Sequence, residues 1–260
     1  MTDAELLQTY YRSFIRGSHI LHFHQVLDAY GHLSFRHPTD PSLFVMARSV
    51  APALIATEKD LITFRVRDGE PIDPDSPKAY IERYIHSEIY RRFPDVQAAV
   101  HSHAESVIPF TISDVPLKPC YHMAGFLASS GVPVHDSADD VVAPSDIPDL
   151  LVRNTTMGEA LAKCFDGGNK VTLMRGHGYT VAATSIELAV FYALYTQKNA
   201  AIQTAAMGLR AAAGGSMQGL RLLSVDEARE RTAFAPTTAK RAWELWVAEV
   251  SGCPLYKLGV

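Results

Sequence analysis

Apolar positions recur three and four residues apart over residues 6–27, which predicts a long amphipathic first helix. Short β-type runs follow at residues 33–35, 43–46 and 61–66, separated by proline, glycine and aspartate. Ile81, Tyr84, Ile85 and Ile89 return to helical spacing and predict a helix over residues 79–93. A-A-V-H at 98–101 then reads as a buried strand. Proline and aspartate punctuate residues 114–148, so loops and short elements are expected there. Residues 170–174 and 179–183 predict two strands flanking the turn R-G-H-G. Thr184 with Glu187 makes a capping box that opens a long helix running past Ala200. Ser224 with Glu227 repeats the signal for a shorter helix, and a last one is expected over 239–250. Helices alternating with short strands make this an α/β chain with no internal repeat and no linker.

Composition narrows the classes. At 260 residues and 47% hydrophobic content the chain suits one large domain with its own core, ending in a helical extension from about residue 210. The net charge is −4 and no basic cluster occurs, so neither nucleic acid nor an anionic membrane is an expected partner. The opening M-T-D-A-E-L-L lacks a basic-then-apolar signal region, and no apolar run approaches membrane-spanning length. Cys120, Cys164 and Cys253 are odd in number and lack close metal-type spacing. They read as reduced thiols of a cytoplasmic protein.

Four side chains carry the candidate chemistry: Glu82, His101, His103 and His177. Three imidazoles and a carboxylate suit a divalent ion such as Zn²⁺ or Mn²⁺, particularly where one position stays open. An H-x-H pair alone is weak evidence, since 11 histidines in 260 residues give roughly half a pair by chance. His22 and His24 form such a pair inside a helical pattern, where i and i+2 point apart, so these two and His19 read as helix-surface or core residues. His101 and His103 instead close a strand, where alternate side chains share a face. Glu82 and His86, four apart in a predicted helix, also share a face. The glycines beside His177 permit close backbone approach or unusual dihedrals.

Together these pieces resemble the class II aldolase/adducin family. The carrying motifs are G-H-L-S-F-R (31–36), I-E-R-Y-I-H-S-E-I-Y-R-R-F-P-D-V (81–96), A-A-V-H-S-H-A (98–104) and L-M-R-G-H-G (173–178). The resemblance implies a single three-layer α/β/α domain with a mixed, largely antiparallel central sheet, and a homotetramer. It also implies a metal site of Glu82, His101, His103 and His177, in which Glu82 is a fourth ligand or a base. The sugar-phosphate aldolases of the family cradle a phosphate with G-N-x-S, T-P-T-G and S-S-E motifs. Here His32 replaces the asparagine, A-R-S-V stands at 47–50, and Tyr80 and Ile81 precede Glu82. Most phosphate donors are gone, while Arg48 offers a planar fork suited to a carboxylate.

The G-H-x-S-x-R and R-S-x-A-P pattern, with H-M-A-G-F-L at 122–127, looks like the branch that decarboxylates hydroxypyridine dicarboxylates and dihydroxyphthalates. The implied activity is metal-dependent, non-oxidative loss of CO₂ from a hydroxylated aromatic or heteroaromatic acid. The ion (Mn²⁺ or Zn²⁺, with Fe²⁺ possible) acts as electron sink, and Glu82, His86 or a metal-bound water acts as proton donor. Arg48, Ser49, His32, Ser34 and His122 are expected to bind the substrate, the alternative for Arg48 being a pair with a surface acid. Three other activities compete: aldol cleavage or epimerisation of an unphosphorylated hydroxy-carbonyl compound, a non-haem iron oxygenase, and a non-catalytic adducin-like module. The last typically lacks the metal histidines, which are intact here.

Overall fold

A computed structural model describes residues 1–140, 147–216 and 219–259. Its centre is a seven-stranded sheet in the order β3-β2-β1-β4-β7-β6-β5. The strands are β1 (His32–Arg36), β2 (Leu43–Ala47), β3 (Leu61–Arg65), β4 (Ala98–Ser102), β5 (Val134–His135), β6 (Val171–Met174) and β7 (Gly178–Ala183). All neighbours run antiparallel except β5 and β6. The expected mixed, largely antiparallel sheet is therefore present.

Helices cover both faces. On one side lie α1 (Asp3–Phe23), α5 (Ile186–Ala212) and α7 (Ala235–Ser251); on the other, α2 (Arg83–Arg92) packs on α4 (Thr155–Lys163). Alternation along each central strand sorts its residues between the two layers. Leu33, Phe35, Ala98, Val100, Tyr179 and Val181 enter the core beneath α1 and α5. Ala99 and Ala182 belong to the second core, with Ile85 and Ile89 of α2 and Leu161 of α4. His32, Ser34 and His101 face that second layer, so every residue of β1 and β4 is buried although neither strand is wholly apolar. The sheet carries its polar residues inward on one face, and the candidate site lies there.

Several boundaries differ from the sequence expectation. The helix expected over 79–93 begins at Arg83, because residues 78 and 79 pair with the end of β2: Arg48 bridges Ala79, and Ser49 N–H donates to Lys78 O at 2.8 Å. Glu82 thus precedes the helix instead of lying inside it. Ser185, not Thr184, caps α5 by accepting from Leu188 N–H at 3.1 Å. The Ser224/Glu227 capping box is present on α6 (Val225–Ala233). The last helix starts four residues early, and its Trp246 and Val250 return to the core shared with α1 and α5. The short α3 (Ile108–Ile112), β5 and α4 had no sequence signal strong enough to name them. Of the expected loop region at 114–148, residues 141–146 lie outside the described residues. No helix among the described residues is long and apolar enough to cross a membrane.

Candidate metal centre

The four candidate ligands come from the ends of three local elements. His101 is the penultimate residue of β4 and His103 lies two further on, so both project from the α2 face. His177 occupies the β6–β7 turn after Gly176, whose φ of +62° is left-handed. Glu82 stands at the start of α2, makes no capping bond, and turns its carboxyl toward the histidines.

The Nε2 atoms of His101, His103 and His177 lie 3.0, 3.2 and 3.2 Å from one another. Glu82 Oε2 is 3.6 Å from those of His101 and His177, and the four donor atoms all fall within 4.8 Å. The opposite ring nitrogens explain why this cluster needs a cation. His103 Nδ1 donates to Asp28 at 3.1 Å, and His177 Nδ1 donates to the Leu150 carbonyl at 3.0 Å. Both acceptors lack a proton to give, so in the neutral form of these rings both Nε2 atoms present lone pairs aimed at each other. An ion with bonds of about 2.1 Å sets tetrahedral ligand atoms about 3.4 Å apart, close to the spacing found. The donor set therefore suits a divalent metal.

Electrostatics agree. Burial, reinforced by the neighbouring His103 imidazole, holds His177 down to about 4, and burial keeps His101 well below the ordinary histidine range. Both rings are neutral and ready to ligate. Burial pushes Glu82 up to about 7 despite the Val152 N–H that its Oε1 accepts at 3.1 Å. A bound cation would favour the carboxylate. Asp28, which sequence reasoning missed, fixes the His103 ring while its Oδ1 accepts the N–H groups of Tyr30 and Gly31, both at 2.8 Å. The available signal was D-A-Y-G, an aspartate placed to fold back on its own backbone.

A cavity of about 600 Å³ opens beside the cluster. Of the residues expected to act on the substrate, His32 and Ser49 line it; Ser34, His86, Arg48 and His122 do not. Arg48 turns away because Asp60 takes both its Nε and Nη2, at 3.1 and 2.9 Å. His122 lies in a short turn and lines a separate recess with Met123 and Arg231. Ser34 and His86 are buried behind His32. His86 has both nitrogens engaged, Nε2 with His32 at 2.7 Å and Nδ1 with Ser34 at 2.6 Å. It is not placed to meet a substrate, which corrects its expected role as proton donor. Lys78, which no motif marked, lines the cavity and has no ion pair among the described residues.

Burial lowers His86 to about 3, so it resists protonation in the folded state. Between that value and the unfolded value near 6.5 the unfolded chain binds the extra proton, and stability falls as pH drops. From pH 7.5 to 5.0, urea unfolding of metal-free protein should lose about 2 kcal/mol more in wild type than in His86→Gln. Equal losses would show that His86 is protonated in the fold.

The profile of the class II aldolase and adducin N-terminal domain matches residues 16–204. Decarboxylase tropJ of Talaromyces stipitatus is 47% identical over 255 residues, covering 94% of this chain and 95% of its own length. The 3,4-dihydroxyphthalate decarboxylase of Rhodococcus jostii is 28% identical over 210 residues, 76% of each chain. Among solved structures, the L-fuculose 1-phosphate aldolase of Glaciozyma antarctica superimposes with a TM-score of 0.72 at 18% identity, over 98% of this chain and 94% of its own. That last likeness is one of fold.

Proposed function

The chain belongs to the class II aldolase and adducin family and is a decarboxylase of it, and we propose that its substrate is a hydroxylated aromatic or heteroaromatic carboxylic acid. Glu82, His101, His103 and His177 would hold a divalent ion, Mn²⁺ or Zn²⁺, which when bound supplies Lewis acidity beside the cavity. The observation that carries the substrate class is the wall facing that cluster. Tyr30, Val50, Tyr80, Ile81 and Leu151 make it aromatic and largely apolar, and among the described lining residues Ser49 has the one aliphatic hydroxyl. Such a wall accepts a planar ring and offers little to a phosphate dianion, which needs several donors. Tyr80 packs on His32 with ring centroids 4.8 Å apart and donates its hydroxyl to Val50 O, which fixes the ring that would lie against the substrate.

The reaction breaks the bond from ring carbon to carboxylate, releases CO₂, and leaves the electron pair on the carbon, which then takes one proton. Of the two side chains expected to supply it, only Glu82 reaches the cavity. Its buried carboxyl is pushed up to about 7 in the metal-free protein; since a bound cation favours the carboxylate, Glu82 would carry the proton when released from the ion. The experiment is a substrate panel with the metal-loaded enzyme. CO₂ release from a hydroxy-aromatic acid supports the reading; aldehyde formation from unphosphorylated hydroxy acids, or Fe²⁺-dependent oxygen uptake, would replace it.

With Arg48 held by Asp60, Lys78 and Ser49 are the groups available to a substrate carboxylate. Lys78→Ala should lower kcat/KM by roughly 10- to 50-fold, mostly through KM. Arg48→Ala should change kcat/KM less than about threefold and cost at most about 1 kcal/mol of stability. The reverse ranking would return the carboxylate to Arg48. We also infer the homotetramer that family resemblance implies, located in the cytoplasm, where Cys120, Cys164 and Cys253 remain free thiols. Light scattering that gave a monomer at micromolar concentration would overturn the assembly.

A further inference from the structure

Behind the cavity, Tyr90, Ser34, His86 and His32 form a chain of side-chain hydrogen bonds, and the Tyr90 oxygen also accepts from the Ala99 backbone. Tyr90 Oη lies 2.7 Å from Ser34 Oγ, Ser34 Oγ 2.6 Å from His86 Nδ1, and His86 Nε2 2.7 Å from His32 Nδ1. All four residues are buried, and only His32 lines the cavity.

Donor counting gives the chain a direction. A buried hydrogen-bond donor without a partner costs more than an acceptor with a spare lone pair. Tyr90 has a single hydroxyl hydrogen, and its one side-chain partner is Ser34, so Tyr90 donates and Ser34 accepts. Ser34 must then give its own hydrogen to His86 Nδ1. With Nδ1 accepting, neutral His86 carries its hydrogen on Nε2 and gives it to His32 Nδ1. His32 in turn carries its hydrogen on Nε2. The opposite direction would strand the Tyr90 hydroxyl hydrogen in the core.

We propose that Tyr90, Ser34 and His86 are positioning residues that lock His32 in its Nε2–H form, making it a fixed hydrogen-bond donor to an oxygen of the substrate beside the metal cluster. A free histidine populates both tautomers and would present a lone pair to an anionic oxygen part of the time. The relay removes that repulsive form. It also explains why a buried histidine is kept at 86 without touching the cavity. That the oxygen belongs to a hydroxy-aromatic acid rests on the decarboxylase reading; the direction of the relay does not.

The test is the tautomer itself. In zinc-loaded protein with ¹⁵N-labelled histidine, long-range proton–nitrogen correlations should place the proton on Nε2 of both His32 and His86, assigned by their loss in His32→Gln and His86→Gln. Ser34→Ala should convert both rings to mixed tautomers at unchanged zinc content. It should also lower kcat/KM roughly tenfold with His32 in place, and less than about twofold in the His32→Gln background, whose side-chain amide donates unaided. A wild-type His32 protonated on Nδ1, or the same cost for Ser34→Ala in both backgrounds, overturns the proposal. If the tautomers are as assigned and no acid on the panel loses CO₂, the relay stands and the substrate reading fails.

Discussion

His177→Ala and His103→Ala should each give a folded protein that neither holds metal nor turns over substrate. Both side chains sit at element ends, His103 just past β4 and His177 in the β6–β7 turn, and both are partly exposed. Their truncation leaves no sealed void, so metal-free unfolding midpoints should stay within about 2 °C of wild type. Activity is another matter. Loss of one of three imidazoles leaves two nitrogens and a carboxylate, and kcat/KM should fall at least about a thousandfold. His101→Ala differs in kind, because this ring is fully buried in the layer beneath α2. It should lose metal and also about 1–3 kcal/mol of stability through the cavity left behind. Metal content by elemental analysis and unfolding by circular dichroism separate the two effects. Full metal occupancy in His177→Ala would remove that residue from the ligand set.

How much of this centre the sequence disclosed depends on the range of the interaction concerned. Alternation along β4 sends His101 and His103 to one face whatever the rest of the chain does, so the H-x-H pair was readable locally. The same periodicity exposed His22 and His24 as a helix pair, and the structure gives them the structural partners Tyr256 and Glu249. Arg48 could not be placed this way. Its direction is decided by Asp60, twelve residues on and across the β2–β3 connection, and nothing in A-R-S-V announces that partner. His86 failed for a related reason: helical spacing put it on the face of Glu82, but the helix starts after Glu82, and His86 points to β1 instead. Lys78 was invisible because its place arises from a strand-like bridge that the fold assembles, and Asp28, whose local D-A-Y-G turn could be read, was missed because the ring it holds, His103, lies 75 residues on. Residues whose partners are near in sequence were legible; those whose partners arrive through the sheet were not.

Gly178→Ala should damage the metal centre without touching a ligand. Gly178 opens β7, and a Cβ built on it would lie 2.0 Å from the Ser102 carbonyl oxygen and 3.2 Å from His103 Cα. To reach even 3.0 Å from that oxygen the two backbones must separate by about 1 Å, and the obstacle is main chain, so no rotamer change relieves it. Ser102 lies between His101 and His103, and Gly178 follows His177. A separation here therefore moves all three imidazoles at once, beyond the roughly 0.5 Å that a preorganised site tolerates. The expected cost is about 2–4 kcal/mol in unfolding free energy, with metal affinity lower by at least about tenfold. Gly176→Ala supplies the contrast. Its φ of +62° makes an alanine strained by about 1 kcal/mol, but the nearest atom to its Cβ is Leu150 Cδ1 at 3.5 Å, an ordinary contact. Urea titration and metal binding measured on both variants should rank Gly178→Ala well below Gly176→Ala in each. Wild-type metal affinity in Gly178→Ala would mean that β7 can shift without carrying His177 away from His101 and His103.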